Sequence, residues 1–461
     1  MHRMGSVQLY FLLLGFWLFS ACDFGQSSDT IDAGVAPIPK TLSDADLLDP
    51  KKCQQCHQQH YEEWASSMHA YASKDPVFLA MNQRGQRETN GELGSFCVQC
   101  HAPMALRTGA TIDGLNLETV PDHLQGVTCY FCHTVEAVNG THNNPLQLAS
   151  DGVMRGGFSD PVETPAHLSG YSAFHDRSEP ESAALCGACH DVVTPSGHHI
   201  ERTFLEWQNS VFGQADMDSF LSCGDCHMNG RTEPIAAGPG NPVRRRHKHL
   251  MPGVDVALTP FFGHENHVAA VQEELDYTVE AHLCMEETQL LTVRLGNLTA
   301  GHAFPSGSAH DRRLWAELRA YSGDNEVWTH GIVPEDVPLA DTAADDLFSF
   351  FEHGFDENGE EAFMLWEITD SESNVLEAPE STDTSAVIED QHKIKTFDLA
   401  GLNVDRIDIQ VKLRPMALHV VDSLVASGDL DPSIRDAIPT FNLKGAEVTW
   451  TIDDGWVCVP W

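Results

Sequence analysis

The sequence predicts a multidomain chain: a loop-rich, mainly α region over residues 46–270, then an all-β, sandwich-like domain over 271–461. Three observations carry that expectation. A five-residue motif of cysteines and histidine recurs in the first region and nowhere else. The stretches between its copies are rich in Gly, Pro, Asn and Ser and hold few long periodic runs. After about residue 270, apolar and polar residues alternate in short separate runs, the period of half-buried strands.

Taken in chain order, residues 9–21 (LYFLLLGFWLFSA) form a short apolar run behind Arg3. The run is too short to span a bilayer comfortably and ends in small residues, as a secretory signal does. FSAC at 19–22 resembles a bacterial lipobox, with Phe19 where leucine is commoner. Residues 1–21 are therefore read as a lipoprotein-type signal peptide and Cys22 as the lipidated residue, with plain cleavage near Ala21 as the alternative. Residues 22–45 are polar and poor in aromatics, the composition of a flexible tether.

The motif is Cys-x-x-Cys-His, at 53–57, 97–101, 129–133, 186–190 and 223–227. Chance would supply roughly 0.02 copies from this composition, so five reflect a repeated chemistry. Two thiols on one tight turn reach the two vinyl groups of one haem and form thioether bonds, and the adjacent histidine lies under the iron. Structural zinc would require the cysteine pairs to combine in fours, and a redox dithiol has no reason to repeat. The expectation is five covalently bound haems c. They are held by Cys53, Cys56, Cys97, Cys100, Cys129, Cys132, Cys186, Cys189, Cys223 and Cys226, with His57, His101, His133, His190 and His227 as proximal ligands. Region 46–270 cannot build an ordinary core from its own short segments, and five large apolar macrocycles would supply most of one. Helices are expected at 61–70 and 201–210. Of thirteen cysteines, ten belong to the motifs and one to the leader. The remaining Cys284 and Cys458 are either a disulfide or two buried thiols.

In the second region, residues 289–298, 314–321, 406–414 and 446–453 alternate as strands do, SGDN at 322–325 is turn chemistry, and 418–427 looks like an inserted helix. About seven strands in a β-sandwich are expected.

Several stretches resemble one family: CHQQHYEEWASSMHA from 56, FCVQCHAPMA (96–105), GVTCYFCH (126–133), LCGACHDV (185–192) and EWQNS followed by CGDCHM (206–228). It is the multihaem cytochromes c related to the tetrahaem cytochrome of nitrifying bacteria and, more distantly, to hydroxylamine oxidoreductase. NLTAGHAFPSGSAHDRRLWAEL (297–318) resembles the start of a C-terminal β domain in some relatives. The chain departs from the tetrahaem member by its fifth motif and β domain. It departs from the octahaem enzymes by its smaller haem count and the absence of a Cys-x-x-Cys-Lys motif.

The resemblance implies that His69, in Trp64-x-x-Ser67-x-His69, is the distal ligand of a haem other than the one just upstream. His167 (rival His175) and His249 (rival His247) are further distal candidates, and His302 would reach a haem from the β domain. His123, His142, His264 and His267 remain open for a fifth iron.

The net charge is −41, and haem propionates would add to it. Such a surface repels nucleic acid and anionic lipid. It suits redox donors and acceptors with basic docking faces, with membrane attachment through lipid at Cys22. The basic run 244–249 (RRRHKH) is expected to neutralise propionates. The function expected is an exported electron carrier of the bacterial cell envelope, a periplasm-facing or surface lipoprotein with mostly bis-histidine irons. The alternative is an oxidoreductase acting on a small nitrogen or sulfur compound at one open iron.

Overall fold

The computed structural model describes residues 42–238, 240–297, 299–339, 347–381, 388–389, 391–456 and 458. The apolar run 9–21, Cys22 and the tether up to residue 41 lie outside them. Ile38–Trp461 form one compact unit. Among the described residues, no helix is long and apolar enough to cross a membrane.

Up to about residue 275 the elements are short. Helix α1 (Gln58–Ala65) and helix α2 (Met68–Tyr71) replace the single helix expected over 61–70. The break is local chemistry. Ser66 Oγ donates back to the carbonyls of Glu62 and Glu63, and Ser67 Oγ caps the second helix by accepting from Ala70 N–H. Helix α3 (Pro76–Glu88) starts where a helix should: Asp75 accepts from Val77 and Phe78 N–H, and Pro76 takes the first helical position. Helix α4 (Thr203–Asn209) fills the expected 201–210 segment, and helix α5 (His264–Leu275) closes the region.

Small two-stranded ribbons lie between the helices, as at Val135–Val138 with Leu146–Leu148 and Thr232–Pro234 with Val243–Arg245. Region 46–270 is thus less purely helical than expected. Ribbons of two to four residues are too short to leave a period in sequence.

Later strands are longer. β1 (Val279–Met285), β2 (Leu290–Asn297) and β6 (His392–Asp398) form an antiparallel sheet with β2 in the middle. β3 (Arg313–Ser322) pairs with β4 (Asn325–His330), with the short β5 (Ser349–Phe350) and, over its whole length, with β7 (Arg406–Arg414). β8 (Phe441–Asn442) and β9 (Val448–Thr451) complete that sheet on β7. The expected turn at 322–325 joins β3 to β4 around Gly323 at φ 55°, which a residue with a Cβ rarely adopts.

Alternation does its work here. Ile407, Ile409, Val411 and Leu413 of β7 are buried, as are Leu314, Ala316, Leu318 and Ala320 of β3, and both sets share one apolar core with Leu291, Val293 and Leu295 of β2. The expected insertion is helix α6 (Leu418–Ala426), whose Val420, Val421 and Leu424 pack on Val77 and Ala80 of α3. That contact joins the two regions of the chain. The Cys284 and Cys458 sulfurs are bonded, with Cα atoms 5.3 Å apart, tying the end of the chain to β1.

Candidate functional site

Each motif sits on a single helical turn. The histidine N–H bonds the carbonyl of the first motif cysteine at His57 (2.8 Å), His101 (3.3 Å), His190 (3.1 Å) and His227 (3.0 Å), and Cys129–His133 is itself a helix capped by Thr128. On such a turn, positions i, i+3 and i+4 share one face. Two thiols and one imidazole therefore point the same way, as attachment of one haem requires. None of the ten motif cysteines forms a disulfide.

The cysteines also order the five sites. The Cys53 thiol of the first motif lies beside that of Cys129 of the third. Cys132 of the third lies within electrostatic reach of Cys186 and Cys189 of the fourth. Cys189 lies beside Cys100 of the second motif, and Cys186 beside Cys223 of the fifth. The fourth motif adjoins three others.

Two imidazoles bound to opposite faces of one iron, through bonds of about 2 Å, have ring centroids about 6.3 Å apart. Four motif histidines face a second histidine at this spacing. His57 faces His167 at 6.3 Å, His133 faces His249 at 6.1 Å, His190 faces His69 at 6.1 Å, and His227 faces His302 at 6.3 Å. Each of the four distal candidates lies opposite a different motif histidine. His69 meets His190 of the fourth motif, not His57 just upstream. His101 differs: its ring is stacked on Phe78 at 4.1 Å and 3°, and among the described residues no imidazole faces it at that spacing.

Hydrogen bonds fix these rings. The Nδ1 atoms of His57, His101, His133 and His227 point at the carbonyls of Ile235 (2.9 Å), Ala72 (3.1 Å), Arg155 (2.6 Å) and Pro252 (2.7 Å). Those of His167, His249 and His302 point at Leu168, His247 and Ala303 carbonyls. A carbonyl accepts only from N–H, so Nδ1 carries the proton and Nε2 keeps its lone pair for a metal. Burial pushes the pKa of His69 and His249 down to about 3 and of His190 and His302 down to about 4, which keeps these imidazoles neutral. His227 moves the other way. Burial opposes its charge, but Glu274, 3.3 Å from Nδ1, and the Pro252 carbonyl raise it. The residues fit haem c at five places.

The rival candidates have other neighbours. His175 stacks on His133 at 5.1 Å and points Nε2 at the Cys132 carbonyl (2.9 Å), and the backbone carbonyl of His247 receives His249 Nδ1. His267 points Nε2 at the Asp255 carbonyl (3.2 Å). His264 lines a cavity of about 640 Å³ with Leu258, Thr259 and Phe261, His123 lines a smaller one with Tyr61 and Trp64, and His142 packs on His199. Two of the three arginines of 244–249 turn to carboxylates: Arg244 pairs with Asp160, and buried Arg246 is held by Glu63 and Glu233, while Arg245 donates to Asn229 Oδ1.

Sequence reading missed three contributors. His60, one turn after His57, packs between His57 (5.5 Å) and His249 (4.9 Å). Glu206 of α4 accepts from Ala303 N–H (3.2 Å) and Ser306 Oγ (2.6 Å), clamping the loop that carries His302. Met251 brings its Sδ to His69 Nδ1 at 3.0 Å. The spacing from His57 could have flagged His60; nothing local marks the other two.

Residues 52–134 match the family described as cytochrome c554 and c-prime. A crystal structure of a penta-haem cytochrome c552 from Thermochromatium tepidum superposes with a TM-score of 0.60 at 18% identity, over 88% of this chain and 99% of that one. The fold is that of a multihaem cytochrome c. No curated protein matches the sequence. The family match covers the first three motifs, and the structural likeness extends through the β-rich region as well.

Proposed function

We propose that this protein is an exported electron carrier, a c-type cytochrome with five haems, four of them bis-histidine. The observation that carries the proposal is the set of four facing imidazole pairs. When bound, haem c supplies a reversible one-electron couple. The chain's own residues do the rest. The motif cysteines would anchor each group, and the paired histidines would supply both imidazole ligands of four of the irons, leaving those to electron transfer rather than substrate binding. Nδ1 hydrogen bonds hold the rings, and the cysteine contacts set the five sites in an order: first beside third, third beside fourth, and fourth beside second and fifth. Region 271–461 acts as a sandwich-like shielding and docking domain, and its His302 completes the fifth site.

The charge of −41 favours donors and acceptors with basic faces and steers them at low salt. The leader at 1–21 and lipid at Cys22 would place the protein in the cell envelope, periplasm-facing or at the surface. Spectroelectrochemistry tests the carrier role: five one-electron equivalents should cycle reversibly with no added substrate. Irreversible reduction would contradict it.

His101 favours a second reading. With no imidazole opposite among the described residues, its iron would have one position open to a small nitrogen or sulfur compound, as in an oxidoreductase distantly related to hydroxylamine oxidoreductase. Nitrite or hydroxylamine should then perturb the spectrum of one haem in five, and a spectrum indifferent to both would sink this reading.

A further inference from the structure

The fourth motif is a junction, with Cys186 beside the fifth motif and Cys189 beside the second, and both close to Cys132 of the third. The imidazole facing its His190 is His69. That imidazole differs chemically from the other three facing histidines. His167, His249 and His302 point Nδ1 at peptide carbonyls at 3.0, 3.0 and 2.7 Å. His69 Nδ1 meets the thioether of Met251 at 3.0 Å, and a thioether sulfur is a weak acceptor.

The backbone goes to some trouble to place that sulfur. Met251 has φ 45°, in the left-handed region that side-chain-bearing residues rarely enter, and it precedes Pro252, which restricts it further. Its surroundings hold it there. Pro252 carbonyl is bonded by His227 at 2.7 Å, and His249 two residues earlier faces His133 and takes its N–H to Glu63 at 2.9 Å. Segment 249–252 therefore touches three sites at once: the third through His249, the fourth through Met251 and the fifth through Pro252.

An acceptor on Nδ1–H pushes electron density toward Nε2. A strong acceptor makes the imidazole a better donor and favours the ferric state, and a weak one does the reverse. We infer that Met251 is a positioning and tuning residue. Its thioether holds His69 in the Nδ1–H tautomer while leaving it the poorest donor of the four facing histidines, so that the junction site has the highest potential among the bis-histidine sites. Electrons entering at the first, second or fifth site would then collect at the junction before leaving. This inference rests on the reading of His69 as a ligand.

The test uses the full holoprotein and three variants, with redox titration and electron paramagnetic resonance on each. H69A identifies the junction haem as the one that turns high-spin. M251Q offers an amide carbonyl in place of sulfur, and should lower the potential of that haem while five low- and high-spin signals keep their wild-type proportions. M251L removes the acceptor and should raise it. An unchanged junction potential in both variants, or shifts of the opposite sign, overturns the role of Met251. If M251Q does not assemble, the sign of the M251L shift decides alone. If H69A leaves every iron as in wild type, the ligand reading itself fails, a result separable from failure of the Met251 inference.

Discussion

The two regions of this molecule are held together in different ways. In the β-rich region, apolar residues at alternate positions of β2, β3 and β7 meet in one core, with Leu295, Leu318 and Val411 fully buried. In the motif region the buried apolar residues fall into separate clusters, one around Phe131, Val98 and Leu146 and a smaller one of Ala183, Phe204 and Trp207. What recurs there instead is a turn of helix that aims two thiols and an imidazole at one point. One region encodes its core in periodicity; the other encodes, beside clusters of its own, five attachment points.

That contrast can be broken or sharpened by substitution. The largest effect is expected from C129A/C132A. Phe131 and Val135 of that segment are buried in the cluster with Val98 and Leu146, beside the third attachment site. Mass spectrometry should show one haem fewer, and little folded protein should survive. A chain with four haems and an unchanged melting temperature would contradict the account.

L318A should act differently, costing about 2–5 kcal/mol in denaturant titration while leaving all five haems attached. Loss of haem in L318A would mean that the regions do not differ as described.

H69A should have a smaller effect on stability and a selective one on spectra, turning one low-spin iron high-spin. No change in spin state would remove His69 from the site.

The smallest effect concerns pH. Burial, against the pull of Arg313 and Arg312, raises Asp311 to about 7. Burial, and next Glu206 and Glu201, raise Glu352 to about 7. Their folded-state pKa values lie above the unfolded values of about 4. Their contribution to stability is therefore complete below about pH 4 and is lost as pH rises through about 7. D311N should flatten the fall in stability between those limits. A pH profile identical to wild type would exclude Asp311 as a contributor.

Much of this was legible in the sequence, for physical reasons. Thioether attachment demands a fixed spacing, so the ten cysteines and five motif histidines stand out. Half-buried strands demand alternation, so 289–298 and 406–414 were readable to within a residue or two of β2 and β7. The short ribbons were not, because two residues have no period. The break between α1 and α2 was missed because it depends on which hydroxyl bonds which carbonyl, at Ser66 and Ser67. The partners of the distal candidates could not be read at all: the facing of His167 and His57, or of His302 and His227, is set by chain paths of more than seventy residues. Met251 and Glu206 act through an atom brought from elsewhere in the fold, and leave no local mark.

The most direct test of the central claim is low-temperature electron paramagnetic resonance of the oxidised protein, with haem quantified in the same sample. The account predicts five haems, four low-spin and one high-spin, the last at the site of His101. Five low-spin irons, or two or more high-spin ones, would contradict it.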